Sequence, residues 1–375
     1  MTSVFDRIPG QQRVREILER AVKSPGDSYL FVGPRGVGKS EAARAFAAAI
    51  LCPDSCGECS LCSRTLRGIH PDVQIFQPEG YVYPLELIRE LVASARLTPL
   101  EAEKRVIVIE EADRIVERSQ NALLKALEEP TGAVTWILVA DALDPFLPTV
   151  LSRCQIVEFV PVNEEAVAAL VASRFKLEDE VSKQTVRASR GDLEKALALA
   201  EGGDAARVRS LAIDAAVALG EEPAAALDFS TRLQEVVASA RDSLADRQKA
   251  ELDQMEEMIG SGRGGAATKK RVVDRHKRML RRTETDLYLD FVTYLGTALR
   301  DLAFVSSGGD PESVVCIDHA QAIVAAAVNR PTQNWLELID ECLACHLSIV
   351  ENANAPLAVE SVLLALSKSP VATIG

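Results

Sequence analysis

Gly33-Pro34-Arg35-Gly36-Val37-Gly38-Lys39-Ser40 meets every fixed position of the G-x-x-x-x-G-K-[ST] spacing. That spacing lets backbone N–H groups converge on phosphate oxygens, with Lys39 on the outer phosphates and Ser40 on a magnesium ion. A second run, Arg105-Val-Ile-Val-Ile109-Glu110-Glu111-Ala-Asp113, is apolar and ends in carboxylates. In a nucleotide hydrolase such a strand end holds the metal, here through Glu110, and orients the attacking water, here through Glu111. Glu110 is one methylene longer than the usual Asp, and a displacement of about an ångström can cost on the order of 10²-fold in rate. Taken singly, the first run could be a Gly-rich turn and the second a solvated strand end. Together they point to a nucleotide-binding core, and whether ATP and magnesium bind or turn over there stays open on these residues.

Four cysteines, Cys52, Cys56, Cys59 and Cys62, fall within eleven residues with two overlapping C-x-x-C steps. Redox chemistry needs two thiols, whereas four can converge tetrahedrally on a structural zinc ion, with His70 as a reserve ligand. Cys342-Leu-Ala-Cys345-His346 matches a haem-attachment pattern. At helical spacing these residues read instead as core positions beside Trp335 and Leu343, and Cys316 and His319 read likewise. Nine Lys or Arg against the single acid Asp274 occupy 263–282. This stretch could meet DNA phosphate or an acidic partner, and pairing with the acidic helix before it is the preferred reading.

The elements that must position these groups follow from patterning. β-rich runs at Tyr29–Val32, Val73–Phe76, Val106–Ile109, Trp136–Val139 and Gln155–Phe159 alternate with helical stretches, which predicts a five-stranded parallel sheet covered by helices. After Phe159 the apolar spacing is three and four, so the rest is all helix. The expected division is a core over 1–160 with the cysteine module at 52–62, a small helical unit over 161–205 N-capped by Asn163, and an all-α domain over 206–375. A flexible, Gly-rich insertion is expected near 260–268. With 375 residues, 47% hydrophobic and 26% charged, the chain is neither disordered nor fibrous. A net charge of −13 argues against a whole-surface nucleic-acid binder. No run of 18 uncharged apolar residues occurs and the first residues are polar, so a cytoplasmic protein without membrane contact is expected.

Five blocks together resemble the delta-prime family of bacterial DNA polymerase III clamp-loader subunits, which are AAA+ proteins. They are Val4 to Gln11, Gly33 to Ser40, the four-cysteine insertion, Asn121-Ala-Leu-Leu-Lys125-Ala-Leu-Glu-Glu129-Pro130, and Leu147-Pro-Thr-Val-Leu-Ser152-Arg153-Cys154. Fainter matches follow at Arg190 to Leu197 and Glu351 to Leu357. The resemblance implies an AAA+ phosphate-loop core, a helical lid and a helical collar. It implies a hetero-pentameric ring with gamma/tau and delta subunits that loads the sliding clamp, beta, onto primer–template DNA at the replisome. Arg153 would reach in trans into a neighbouring subunit's ATP site. Family members that hydrolyse ATP keep a Thr or Asn after the fourth strand and an Arg in the lid, where this chain has Ala140-Asp141 and Glu194. Those departures suit a stator with little ATPase activity. The alternative is an ATP-hydrolysing motor, either gamma/tau-like or another AAA+ remodeller.

Overall fold

The computed structural model describes residues 3–368 apart from 79–81, 129–132, 219–222, 260–262 and 329–331. The chain divides into two compact units, 1–197 and 198–375.

Five parallel strands form the first unit's sheet: β1 (Ser28–Val32), β2 (Val73–Phe76), β3 (Arg105–Ile109), β4 (Val134–Ala140) and β5 (Gln155–Glu158), in the order β2-β3-β4-β1-β5. The three central strands are buried along their whole length. That accounts for their continuous apolar sequence, since a sheet covered on both faces has no polar side. Alternate residues serve opposite cores. Tyr29, Phe31, Val106, Val108, Ile137 and Val139 pack with Phe5 and the helix Lys39–Leu51. Leu30, Ile107, Ile109, Trp136 and Leu138 pack on the other face with Leu91 and Leu123. This strand order places the end of β4 between the loop after β1 and the acidic end of β3, so residue 141 falls between the two chemistry-bearing motifs.

The helices Glu164–Phe175 and Asp179–Ala188 complete this unit, and a third, Leu193–Glu201, begins in it. Asn163 caps the first of them through a bond accepted from the Glu165 N–H at 2.9 Å. The unit boundary falls inside the third helix, so the helical stretch expected over 161–205 belongs largely with the sheet. Gln11 ties this region together: its amide donates to the Val160 carbonyl (2.6 Å) and the Val37 carbonyl (3.4 Å), and accepts from the Val160 N–H (3.3 Å).

The second unit is entirely helical among the described residues. Its core contains Trp335, Phe291, Leu295, Cys342 and Cys345. A bidentate ion pair between Arg209 and Asp318, at 2.6 and 2.7 Å, fastens the helix Asp204–Ala218. Two long helices, Pro223–Ile259 and Arg263–Ser306, have 37 and 44 residues. The flexible insertion expected near 260–268 is therefore corrected. Apart from 260–262, which lie outside the described residues, helix begins at Arg263 and runs through Gly264 and Gly265. Two glycines cost a helix about 1 kcal/mol each, and a helix this long tolerates that sum. An ion pair, Arg241–Glu284 at 3.1 Å, joins these two helices, but its cation lies on the first helix and its anion follows the 263–282 stretch, so it is not the pairing expected from the charge pattern.

Candidate functional site

The loop after β1 leads into the helix Lys39–Leu51, with Gly36 and Gly38 at φ +74° and +86°. A Cβ at Gly36 would lie 2.8 Å from the Asp192 Cα, and one at Gly38 would lie 2.7 Å from Leu193 Cδ2. Both glycines thus serve a close approach to the start of the helix Leu193–Glu201, and the Leu193 N–H donates to the Gly36 carbonyl at 2.8 Å.

Lys39 is almost wholly buried. Its ammonium donates to the Gly33 and Pro34 carbonyls, both at 2.6 Å, and to Asp141 Oδ1 at 3.0 Å. An ammonium has three protons, and all three are thereby engaged. The other oxygen of Asp141 accepts from Arg35 Nε at 2.6 Å. Burial pushes the Asp141 carboxyl upward, but the bonds from Arg35 and Lys39 outweigh it and hold the group below the usual carboxylate range. Asp141 is therefore an anion bridging two cations of the loop.

Ser40 Oγ donates to Glu110 Oε2 at 2.5 Å. Glu110 is 4% exposed, and its Oε1 has no hydrogen-bond partner. Burial raises its pKa, opposed chiefly by Arg44. Glu194 adds a further carboxyl whose ionisation is influenced by Glu110 and Asp192. The residue is exposed, yet protein crowds its carboxyl. That crowding, reinforced by Glu110 and Asp192, raises its pKa to about 7. Glu111 adopts the left-handed conformation at φ +49° and pairs with Arg114 Nε at 2.8 Å, which engages it away from Ser40.

Of the nucleotide-site residues named from sequence, the structure brings together the loop, Lys39, Ser40 and Glu110. It adds Asp141 and Glu194 where a nucleotide site would supply donors. A magnesium nucleotide fits this set poorly, because its phosphates would meet a lysine with no free proton and carboxylates on two sides. Sequence reading flagged Asp141 and Glu194 as departures but missed the ion pairs. The available signal was Arg35, a second cation in the loop facing a carboxylate after β4.

The four cysteine sulfurs lie within 4.8 Å of one another. Cys52 Sγ is 4.0 Å from Cys56 Sγ and 3.9 Å from Cys59 Sγ. Zinc–sulfur bonds of about 2.3 Å in a tetrahedron require sulfurs about 3.8 Å apart, so the cluster fits zinc. Backbone N–H groups of Glu58 and Cys59 lower the Cys56 thiol to about 7, whereas burial raises Cys62. One ligand is thus close to the thiolate form and the other needs a cation's charge to lose its proton. His70 lies outside the cluster: it is fully buried, and its Nδ1 accepts from the Asp72 N–H at 3.1 Å. Among the described residues this is the one group of three or more such ligands. The thiols of Cys316, Cys342 and Cys345 are raised by burial to about 12, 12 and 11, and they behave as small core residues.

Arg153 follows the short helix Pro148–Leu151 at the surface. Its guanidinium donates to the Thr149 carbonyl at 2.8 Å and pairs with Glu128 at 2.5 Å, a partner that sequence reading missed. Among the described residues no helix is long and apolar enough to cross a membrane.

Residues 10–163 match the family model described as DNA polymerase III, delta subunit. DNA polymerase III subunit delta' of Bacillus subtilis is 32% identical over 163 residues, 42% of this chain and 50% of that protein. The delta' subunit of Pseudomonas aeruginosa is 36% identical over 134 residues, 34% of this chain and 41% of that protein. DNA polymerase III subunit tau of Bacillus subtilis is 29% identical over 206 residues, 53% of this chain and 35% of that protein. The chain thus spans half or less of the length of these relatives. The matched segment holds the intact loop, the cysteine module and the Ser152-Arg153-Cys154 turn, and over that segment the chain is similar to DNA polymerase III delta' subunits.

Proposed function

We propose that this chain works as a stator and arginine donor in the bacterial DNA polymerase III clamp loader, assembled in a hetero-pentameric ring with gamma/tau and delta subunits. In that role it helps place the beta sliding clamp on primer–template DNA in the cytoplasm, with little ATPase activity of its own. The zinc ion held by Cys52, Cys56, Cys59 and Cys62 is structural. The observation that carries this reading is the contrast between two arginine-bearing sites. Lys39 and Arg35 are neutralised internally by Asp141, whereas Arg153 is at the surface with part of its fork open to a neighbour. An arginine supplied in trans stabilises charge on a transferring phosphoryl group and can be worth on the order of 10³ in rate.

The motor reading keeps one supporting observation, the complete Gly33–Ser40 loop, and a tau relative shares the aligned region. One experiment separates the two readings: labelled ATP is titrated against the isolated chain with Lys39→Ala as control, then ATPase is measured in a reconstituted loader carrying Arg153→Ala. Absent turnover by the chain together with a crippled Arg153→Ala loader supports the stator. Lys39-dependent turnover by the isolated chain overturns it.

A further inference from the structure

We propose that Asp141 is a built-in anion that fills the cation contacts of the phosphate loop and keeps this chain nucleotide-free. The inference deepens the stator reading, on which it rests, by naming the side chain responsible.

The carboxylate sits at the end of β4, which the strand order places beside β1, so it needs no excursion to reach the loop. One of its oxygens faces Lys39 Nζ at 3.0 Å and the other Arg35 Nε at 2.6 Å. Each cation that could receive a phosphate oxygen is thus already held by the same side chain. The two remaining protons of Lys39 go to the Gly33 and Pro34 carbonyls, which closes the loop on itself. A phosphate approaching Lys39 must displace a carboxylate two-thirds removed from solvent, and until it does so it experiences that carboxylate's repulsion. Glu110 holds the second half of the site by accepting from Ser40 Oγ, the hydroxyl that a nucleotide's metal would need.

The loop therefore exists in a closed form, held by Asp141, and an open form able to bind phosphate. A binding-competent form populated only in part weakens apparent affinity by that fraction. Neutralising Asp141 removes the like charge and weakens the charge-assisted bond that holds the Lys39 ammonium, so affinity for a triphosphate rises.

The test uses the full chain and a fluorescent ATP analogue with magnesium, titrated against the native protein, Asp141→Asn and the double variant Asp141→Asn with Lys39→Ala. Asn is isosteric with Asp, and thermal unfolding checks each variant. If the Asn variant does not fold, Asp141→Thr carries the same test. The expected result is affinity about tenfold or more tighter in Asp141→Asn than in the native chain, lost again in the double variant. Equal and weak binding by native and Asp141→Asn proteins overturns the inference while leaving the stator reading intact, because some other feature then excludes the nucleotide. Tight binding with turnover by the native chain overturns both. A gain that persists without Lys39 also overturns it, since the bound nucleotide would then lie outside the loop.

Discussion

Removing zinc should loosen the amino-terminal segment, not only the cysteine module. The Val4 N–H donates to the Ser55 carbonyl at 3.1 Å, and a Cβ on Gly57 would lie 3.2 Å from the Val4 Cα, so the segment from Val4 rests directly on the ligand loop. Val4 and Phe5 are 1% and 2% exposed. Full burial of side chains of this size contributes about 1.5–3 kcal/mol each, hence about 3–6 kcal/mol for the pair. If the ligand loop opens on chelation, much of that contribution goes with it. At about 2–4 °C per kcal/mol for a unit of this size, the melting temperature falls on the order of 10 °C. Hydrogen exchange should show residues 4–8 losing protection together with 52–62, while β3 and β4 keep theirs. Metal analysis of Cys56→Ser and Cys59→Ser provides the direct check. Unchanged zinc content in both variants, or a chelated protein whose residues 4–8 exchange as slowly as before, would refute the reasoning.

Arg153→Ala should leave the isolated chain's stability within about 1 kcal/mol, because the Glu128 pair is half-exposed, while depressing turnover at the neighbouring site of a reconstituted loader by on the order of 10³. Equal ATPase in mutant and native loaders would remove Arg153 from that role. Gly36→Ala places a Cβ at φ +74° and 2.8 Å from a backbone carbon, so destabilisation of about 2 kcal/mol or more is expected in chemical denaturation. Asp72 is fully buried and accepts from three N–H groups at 2.6, 2.7 and 2.9 Å, so Asp72→Asn should cost about 3 kcal/mol in the same assay. Glu194 has its pKa raised from 4.5 to about 7, so the folded state binds its proton more tightly than the unfolded state does. Its contribution to stability therefore falls as pH rises from about 4.5 to about 7, and Glu194→Gln should flatten that part of a stability–pH curve. Parallel curves for native and variant proteins would contradict the influence of Glu110 and Asp192 on Glu194.

The strands were readable because β1, β3 and β4 are buried on both faces and announce themselves as unbroken apolar runs. The cysteine cluster was readable because its geometry is local, with all four ligands inside eleven residues. Gly264 and Gly265 misled, since a glycine pair marks a break only where neighbouring residues do not already commit to helix. The Lys39–Asp141 and Arg153–Glu128 pairs were hidden because each joins residues far apart in the chain, and only the strand order and helix packing decide who meets whom.

The close packing of the phosphate loop bears on how the motif persists through descent. Gly36 and Gly38 are each confined by the segment that starts at Asp192, and Lys39 secures two carbonyls of its own loop. In this fold the motif residues are held by demands of shape that exist whether or not a nucleotide ever arrives. Such demands of shape preserve the signature independently of any chemistry performed on it. A search that scores only Gly33 to Ser40 therefore sees the shape of this loop and not the carboxylates of Asp141 and Glu194 that stand beside it.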